Sequence, residues 1–317
     1  MSSYRLLAEG LAFPESPVPC DDGSVMVSEI AAGRITRVGS DGTTRTIAHT
    51  GGGPNGVARL AEDRLVVCQN GGSRFGIGPW PYDLEGCVQL FRPVGPPRHP
   101  IPPAVQVVDH DGSVSTLATQ FTTRSGEAAP LVRPSDVCVD GHGGFYLTDA
   151  GTVRGRSRSV TGLLYGTTGG GLREIVYPLE MPNGVALSPD GAVLYVAETR
   201  TRRIWEFELI APGVVGRAKG LATVPSGGPL NVGGADGVCV DGDGRVLVAT
   251  LGTGGVTVFS ATGEPLGAIP ADDPLTTNVA LSTDGETMLM TLASSGRLVA
   301  VDNWREVAGI TRLGASR

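Results

Sequence analysis

The chain has 317 residues, a formal net charge of −7, 48 glycines and 23 prolines. Glycine and proline are both unfavourable inside helices, so this composition argues against a mainly helical protein. Hydrophobic residues make up 40% of the chain and charged residues 18%, a balance that is too apolar for disorder. We therefore expect many short strands and turns around a hydrophobic core.

The acidic balance and the lack of long apolar runs limit the expected partners. A negative net charge repels phosphate backbones, and the single lysine, Lys219, lies in no basic run, so no nucleic-acid partner is expected. No apolar run approaches the roughly 20 residues that span a bilayer, and no signal-peptide pattern is present, so we expect a cytoplasmic protein without a membrane partner. The five cysteines show no C-x-x-C spacing, which argues against a disulfide framework and a zinc site.

Six segments of the chain resemble one another, and each reads as strand, turn, strand. They begin at Phe13, Gly53, Arg133, Met181, Gly234 and Thr276. In each segment alternating apolar residues lead to a polar turn, often Asp-Gly, and a β-branched run follows. Further hairpins follow, for example at residues 34–48 and 256–269. Four strands per unit, repeated six times, predict an all-β protein with the fold of a six-bladed β-propeller.

A closed propeller needs one blade built from both chain ends. Residues 4–8 form a short apolar strand candidate, and the last repeat lacks a clear fourth strand, so we expect the N-terminal strand to complete the sixth blade. Residues 1–317 then form a single propeller domain. Long lid loops are expected at about 71–86, 119–132 and 151–162. The first contains Phe75, Trp80 and Tyr82, which either cover a substrate or pin the loop to the blade beneath it.

One polar residue recurs at the same position of every repeat, just before the apolar part of the innermost strand. The six residues are Glu15, Asn55, Ser135, Asn183, Asp236 and Thr277. The innermost strands of a propeller surround its axis, so these side chains are expected to face one central tunnel. Carboxylates in a narrow tunnel repel each other, and carboxylate and amide oxygens suit a hard divalent cation. A water-filled polar channel is the alternative interpretation.

Four of these motifs, in this order, resemble those of the SMP-30/gluconolactonase/luciferin-regenerating family of six-bladed propellers. They are FPES with Glu15, RPSD at residues 133–136, MPNG with Asn183, and GADG with Asp236. The resemblance covers essentially the whole chain. It implies a central metal site with Glu15, Asn183 and Asp236 as ligands, and Asp236 as the general base. The implied cofactor is one divalent cation, with Ca²⁺ favoured over Mg²⁺, Mn²⁺ and Zn²⁺.

The same resemblance implies residues that bind the substrate. Arg133 matches an arginine that contacts substrate, Asn55 a polar residue near the metal, and Ser135 with Asp136 the position of a common Asn-Asp pair. Ser135 departs from the family pattern, and a serine hydroxyl reaches less far than an asparagine amide. Either water fills that gap or the substrate differs from the usual sugar lactone. Ser16 is a second departure, because glycine often follows the glutamate.

The leading functional hypothesis is an enzyme, a metal-dependent hydrolase that opens a small-molecule lactone or ester. The cation polarises the carbonyl, Asp236 accepts a proton from the attacking water, and Arg133 orients the substrate. One alternative is a phosphotriesterase-like hydrolase with the same fold and metal. Another is a non-hydrolytic biosynthetic or regulatory propeller. The joint presence of Glu15, Asn183 and Asp236 argues against a metal-free role.

Overall fold

Antiparallel sheets make up nearly all of the computed structural model, which describes residues 4–80, 88–154, 156–226 and 233–310. The first strand is β1 (Arg5–Ala8). The first blade consists of β2 (Pro14–Pro19), β3 (Val25–Glu29), β4 (Arg34–Val38) and β5 (Thr44–His49). The chain continues through β6 (Pro54–Arg59), a 3₁₀ turn (Ala61–Asp63), β7 (Leu65–Gln69), β8 (Arg74–Trp80), β9 (Val88–Gly95), β10 (Ala104–Val108) and β11 (Val114–Ala118). Strands β6, β7, β10 and β11 form the second blade, and β8 pairs with β9 as a separate hairpin.

The third blade has a sheet of six strands. Its segment contains β12 (Gln120–Thr122), β13 (Ala128–Pro130), β14 (Pro134–Val139), β15 (Gly144–Asp149), β16 (Val153–Arg154), β17 (Ser157–Arg158), β18 (Thr161–Thr167) and β19 (Arg173–Leu179). The order in the sheet is β13-β12-β19-β18-β15-β14, and β16 pairs with β17 outside it. The short β12–β13 hairpin therefore extends the outer edge of the blade.

The remaining three blades are regular. The fourth consists of β20 (Pro182–Leu187), β21 (Val193–Glu198), β22 (Arg203–Ala211) and β23 (Val214–Thr223). The fifth consists of β24 (Gly234–Val240), β25 (Val246–Leu251), β26 (Val256–Phe259) and β27 (Pro265–Ile269). The sixth consists of β28 (Thr276–Leu281), β29 (Thr287–Leu292), β30 (Arg297–Asp302) and β1, and the short helix α1 (Trp304–Val307) follows.

The six blades close into a ring at the seam between the first and sixth blades. The innermost strands contact one another in the order β2, β6, β14, β20, β24 and β28, and β28 contacts β2. The N-terminal strand β1 pairs with β30, with Arg5 opposite Ala300 and Leu6 opposite Val299. This arrangement confirms the predicted six-bladed propeller and the predicted completion of the sixth blade by the N-terminal strand.

Apolar side chains between neighbouring blades form the core. The second strand of each blade is covered on both faces, and its residues are almost all buried, as in β3, β7 and β15. Between the fifth and sixth blades, Leu247, Met290 and Trp304 have no exposed surface. The described cysteines are Cys20, Cys68, Cys138 and Cys239, and all of them are unpaired. The predicted absence of a disulfide framework thus holds for these four.

The three predicted lid segments contain regular secondary structure. Each predicted lid segment contains paired strands: β8 lies within 71–86, the β12–β13 hairpin within 119–132, and the β16–β17 hairpin within 151–162.

Among the described residues, no helix has both the length and the apolar character needed to cross a lipid bilayer. The cytoplasmic location and the single-domain organisation of residues 1–317 stay predictions.

Candidate active site

Each innermost strand carries a β-bulge near its start, where it has one residue more than the strand beside it. In β2 the pairing passes from Glu15 opposite Ser28 to Val18 opposite Met26. A bulge interrupts the alternation of side chains and redirects one of them. The predicted ring position lies at this bulge in all six strands. The local irregularity therefore aims a polar side chain at the axis before the strand returns to apolar packing.

The six predicted ring residues line a single cavity of about 220 Å³. These are Glu15, Asn55, Ser135, Asn183, Asp236 and Thr277. They come from six different blades, so the ring closure described above is what brings them together. Arg133, which precedes β14, lines the same cavity.

A chain of hydrogen bonds links four ring residues from neighbouring blades. The Asn55 Nδ2 atom donates to Ser135 Oγ at 3.2 Å, and Ser135 Oγ donates to Asn183 Oδ1 at 2.6 Å. Asn183 Nδ2 in turn donates to Asp236 Oδ1. The short Ser135 side chain thus bridges the amides of the second and fourth blades directly. Its departure from the family pattern leaves no break in the ring.

Glu15 is held by two donors, one of which the sequence did not reveal. Glu15 is 5% exposed. Its Oε2 atom accepts hydrogen bonds from Ser16 N at 2.7 Å and from Asn278 Nδ2 at 2.8 Å. Asn278 follows the ring residue Thr277, whose hydroxyl donates to Pro14 O at 3.1 Å. The bulge in β28 turns both Thr277 and Asn278 inward. An alignment of the repeats that takes one position per blade therefore misses Asn278.

Asp136 lies one layer deeper than its neighbour Ser135. Its Oδ1 atom accepts from Val137 N at 2.9 Å, and Oδ2 accepts from Val185 N at 3.4 Å. It is not among the cavity-lining residues, which include Ser135. Backbone packs closely here, because a Cβ atom on Gly56 would lie 2.5 Å from the Cα atom of Asp136. Asp136 thus lies beside the cavity rather than on its lining, and its predicted contact with the substrate stays a prediction.

Three buried carboxyl groups at the centre of the ring have raised pKa values. Glu15, Asp136 and Asp236 are 5%, 7% and 4% exposed. Burial raises the pKa of Glu15 to about 8, and the charge of Asp136 adds to the rise. Burial also raises the pKa of Asp136 to about 7. Burial, followed by the charges of Glu15 and Asp136, raises the pKa of Asp236 well above its ordinary value. A cation in the tunnel would offset this repulsion.

The ligand set of the predicted metal site includes an amide. Within the described ranges, no three His, Cys, Asp or Glu side chains converge on one metal position. The carboxylates of Glu15 and Asp236 therefore need an additional oxygen donor, and Asn183, which lines the same cavity, offers its Oδ1 atom. Oxygen donors of this kind suit Ca²⁺ and Mg²⁺ better than softer metals.

Arg133 brings a positive charge to the cavity. Its backbone N atom donates to Asp149 Oδ1 at 2.7 Å, which ties the start of β14 to the end of β15. Burial lowers the pKa of the Arg133 guanidinium, and the charge of Asp149 opposes this effect. An arginine remains charged even so, and its planar donors suit a carbonyl or carboxylate oxygen.

The hairpin formed by β8 and β9 covers the ring. Phe75, Trp80 and Arg92 from this hairpin line the cavity together with the ring residues. The Phe75 ring also packs on Phe13, with 4.9 Å between ring centroids. Phe75 thus packs on Phe13 and also lines the cavity, and its contact with a substrate stays a prediction. Tyr82 lies outside the described residues. Sequence reasoning missed Arg92, because it lies beyond the predicted lid boundary at residue 86.

The other two lid segments lie elsewhere. Phe121 and Pro130 of the β12–β13 hairpin border a separate groove beside the third blade, together with Val160 and Tyr177. None of the described residues of these two segments lines the central cavity. The hairpin β8–β9 is therefore the lid whose residues can contact a ligand at the ring.

The fold and the site together define the class of protein. It is a six-bladed β-propeller in which polar side chains from all six blades line one central cavity. The sequence model of the SMP-30/Gluconolactonase/LRE-like region matches residues 13–294, and the chain belongs to this family. The family resemblance inferred from the four motifs is thereby confirmed.

Curated relatives and solved structures agree with this membership. The chain is 37% identical over 273 residues to the lactonase drp35 of Staphylococcus haemolyticus, covering 85% of this chain and 71% of that protein. A gluconolactonase from Xanthomonas campestris has a TM-score of 0.72 at 23% identity, covering 94% of this chain and 88% of the other. Regucalcin from Agrobacterium tumefaciens, described as a calcium-binding protein, has a TM-score of 0.70 at 16% identity, covering 94% and 92%. At these identities the solved structures establish the fold.

Proposed function

We propose that the protein is a metal-dependent hydrolase that opens a small lactone. Its family and the relatives named lactonase support the class, an enzyme that hydrolyses lactones. The observation that carries the finer proposal is the convergence of Glu15, Asn183 and Asp236 on one buried cavity. Carboxylates and an amide oxygen in a cavity of this kind fit a hard divalent cation.

The buried carboxylates of the ring support the binding of such a cation. Two ring carboxylates and a third beneath them are buried. Burial first, and the charges of neighbouring carboxylates second, raise the pKa of Glu15 and of Asp236. Glu15, Asn183 and Asp236 would hold the ion, with Ca²⁺ favoured by the all-oxygen ligands. A bound divalent cation supplies Lewis-acid polarisation of the lactone carbonyl and favours the ionised form of nearby carboxylates.

Asp236 is the proposed general base. Its Oδ1 atom accepts the amide of Asn183, which leaves Oδ2 to take a proton from water. The oxygen of that water forms a bond to the carbonyl carbon, and the ring C–O bond breaks with its electron pair on the ring oxygen. The proton passes from Asp236 Oδ2 to that oxygen, and the product is an open hydroxy acid. Atoms and charge balance without another reactant.

Other residues of the chain position the groups that react. Arg133 orients the substrate through its fixed fork of donors. Asn55 and Ser135 hold the Asn183 amide through the hydrogen bonds at 3.2 and 2.6 Å. Asp136 lies below the ring, and its charge adds to the effect of burial in raising the pKa of Glu15 and Asp236.

The Asp236→Asn variant tests the general base. With a panel of lactones and added Ca²⁺, we expect kcat/KM to fall by at least about 100-fold, since a positioned acid or base contributes on the order of that factor. The matched control is Asp41→Asn, which alters an exposed turn and should leave kcat/KM unchanged. Undiminished turnover by Asp236→Asn would refute the assignment. Faster hydrolysis of a phosphotriester than of any lactone would favour the phosphotriesterase-like alternative.

Metal removal tests the cation separately. Ca²⁺ added to chelated protein at about 100 times its Kd should stabilise the fold by about 2.7 kcal/mol, measured as a rise in Tm. The Glu15→Gln variant should lose this rise, whereas Asp41→Asn should keep it. Full lactonase activity in protein that elemental analysis finds free of metal contradicts the proposal.

A further inference from the structure

Three N–H groups without hydrogen-bond partners belong to residues that line the central cavity. They are Asn70 Nδ2, Trp80 Nε1 and Arg92 Nε, and all three atoms are buried. Asn70 follows β7, and the other two belong to the β8–β9 hairpin. All three residues line the cavity that contains the ring. Buried donors in folded proteins are nearly always paired, so three unpaired donors in one cavity indicate a ligand with acceptors.

The surrounding structure fixes the direction of each donor. Asn70 Oδ1 accepts from Gly72 N at 2.9 Å, which assigns the amide orientation and leaves Nδ2 for the cavity. Arg92 Nη1 donates to Pro93 O at 2.7 Å, which anchors the guanidinium and leaves Nε free. Trp80 packs against the cluster of Phe13 and Leu275, which holds its indole in place.

Gly78 provides the space in which Arg92 lies. A Cβ atom at Gly78 would stand 3.3 Å from Arg92 Nη2 and 3.4 Å from Nε. These distances are tighter than ordinary van der Waals contact, so a side chain here would displace the guanidinium. Arg92 pairs with Gly76 across the hairpin, and its guanidinium lies against Gly78, which explains the glycine at position 78.

Arg92 brings a second positive charge to the cavity, in addition to that of Arg133. In the part of the chain that the structure describes, no carboxylate forms an ion pair with this guanidinium, whereas Arg37 pairs with Asp22 at 2.6 Å. The acidic ring residues of the same cavity are the proposed ligands of a cation. A partly buried positive charge with an unpaired N–H favours an anionic acceptor over a neutral one.

We propose that the substrate is a lactone that carries a carboxylate, and that Arg92, Trp80 and Asn70 bind this carboxylate under the lid. The inference rests on the proposed lactonase function and adds the substrate class. A carboxylate offers about four lone-pair sites on two oxygens, enough for three converging donors. Apolar cavity residues such as Phe13, Leu251 and Leu275 would contact the carbon skeleton between the two oxygen-bearing ends.

A matched pair of substrates tests the proposal: γ-butyrolactone and the same ring bearing a γ-carboxylate. With the Ca²⁺-loaded protein, Arg92→Gln should raise KM for the carboxylated lactone about 10- to 100-fold, the range of a charge-assisted hydrogen bond, with kcat little changed. KM for γ-butyrolactone should change by less than about twofold. The matched control is Arg74→Gln, which removes an exposed guanidinium from the same hairpin and should leave both substrates unaffected.

A second variant separates the donor from its packing. Trp80→Phe keeps an aromatic ring and removes only the N–H, and should raise KM for the carboxylated lactone about 3- to 10-fold. Arg92→Lys should restore part of the affinity, because it keeps the charge but not the fork. Equal losses on both lactones would overturn the proposal, since they would mean that the lid residues act by packing alone. Equal KM values of the wild type for the two lactones would overturn it as well.

Calorimetric titration distinguishes failure of this inference from failure of the proposed function. If the wild type hydrolyses neither these lactones nor any other lactone of the panel, the proposed lactonase function fails, and binding of the carboxylated lactone still tests the subsite. Tight binding that Arg92→Gln weakens and Arg74→Gln does not would support the carboxylate subsite. Binding that survives Arg92→Gln but disappears on chelation would place the carboxylate on the metal and overturn the assignment to Arg92.

Discussion

At Glu29, four hydrogen bonds converge on one fully buried carboxylate. Its oxygens accept from Ala12 N at 2.7 Å, from Arg34 Nε and Nη2 at 2.7 and 2.9 Å, and from Thr36 Oγ1 at 2.5 Å. Burial alone would raise the pKa of Glu29, but these hydrogen bonds outweigh it and lower the pKa from its ordinary value. Glu29 is the last residue of β3. The hydrogen bond that it accepts from Ala12 N links the segment before β2 to the first blade.

We predict that Glu29→Gln lowers the free energy of unfolding by about 2 kcal/mol at neutral pH, because it removes the acceptor of charged hydrogen bonds. The folded-state pKa of Glu29 lies below the ordinary value of 4.5. The carboxylate therefore stabilises the fold above that pH and loses its contribution as the pH falls through the folded-state pKa. Urea unfolding over a pH series should show the gap between wild type and variant narrowing in acid.

The control for this prediction is Glu9→Gln, which removes an exposed carboxylate of the same charge. Its free energy of unfolding should match that of the wild type within about 0.5 kcal/mol over the whole series. A constant gap between wild type and Glu29→Gln at every pH would contradict the role assigned to the ionised carboxylate.

Single residues also mark where sequence reasoning stops. The ring position of every blade was predictable, because an aligned polar residue before an apolar run survives in all six repeats. Asn278 was not, since the bulge that turns it inward depends on a pairing between β28 and β29 that no residue pattern records. Arg92 was missed because the predicted lid ended at residue 86, whereas the hairpin continues through β9 to Gly95.

At the scale of one element, the β-bulge decides what an innermost strand can present. Gly56 in β6 sits where the second blade approaches the third, and a Cβ atom there would lie 2.5 Å from Asp136 Cα and 2.7 Å from Ser135 O. Both neighbours are backbone atoms of β14, which cannot rotate away. The Asn-Gly pair at residues 55–56 thus combines a side chain aimed at the axis with a close approach of two strands.

We predict that Gly56→Ala lowers the free energy of unfolding by about 2–3 kcal/mol through this overpacking, and that it weakens metal-dependent stabilisation by displacing Ser135. Thermal unfolding with and without Ca²⁺ measures both effects. Gly242→Ala is the matched control, because a Cβ atom there meets open space. The explanation fails if Gly56→Ala and Gly242→Ala unfold at the same temperature.

At the scale of the whole molecule, closure of the ring depends on four residues of β1. Ala8 packs with Val27 and Leu298 in the cluster that joins the first and sixth blades. Without β1, the edge of β30 would expose unpaired backbone groups that can pair with another chain. The first and last blades are thus held together by backbone pairing as well as by apolar contact.

We predict that deletion of residues 1–9 lowers the free energy of unfolding by about 3 kcal/mol or more and causes aggregation that increases with protein concentration. Differential scanning calorimetry and light scattering measure the two effects. Deletion of residues 1–3 leaves β1 intact and should behave as the full chain does. An unchanged Tm after the longer deletion would mean that the seam does not need this strand.

The contact between the first and last blades also determines when the candidate active site can form. Asn278 of the last blade donates to Glu15 of the first at 2.8 Å, across 263 positions of the chain. During synthesis on the ribosome, the proposed ligand Glu15 emerges first, and the blade that orients it emerges last. We therefore expect a nascent or truncated chain to lack the proposed cation site, and cation affinity to report completed folding of the ring. Occupancy of the centre would in turn favour the completed ring over any open form.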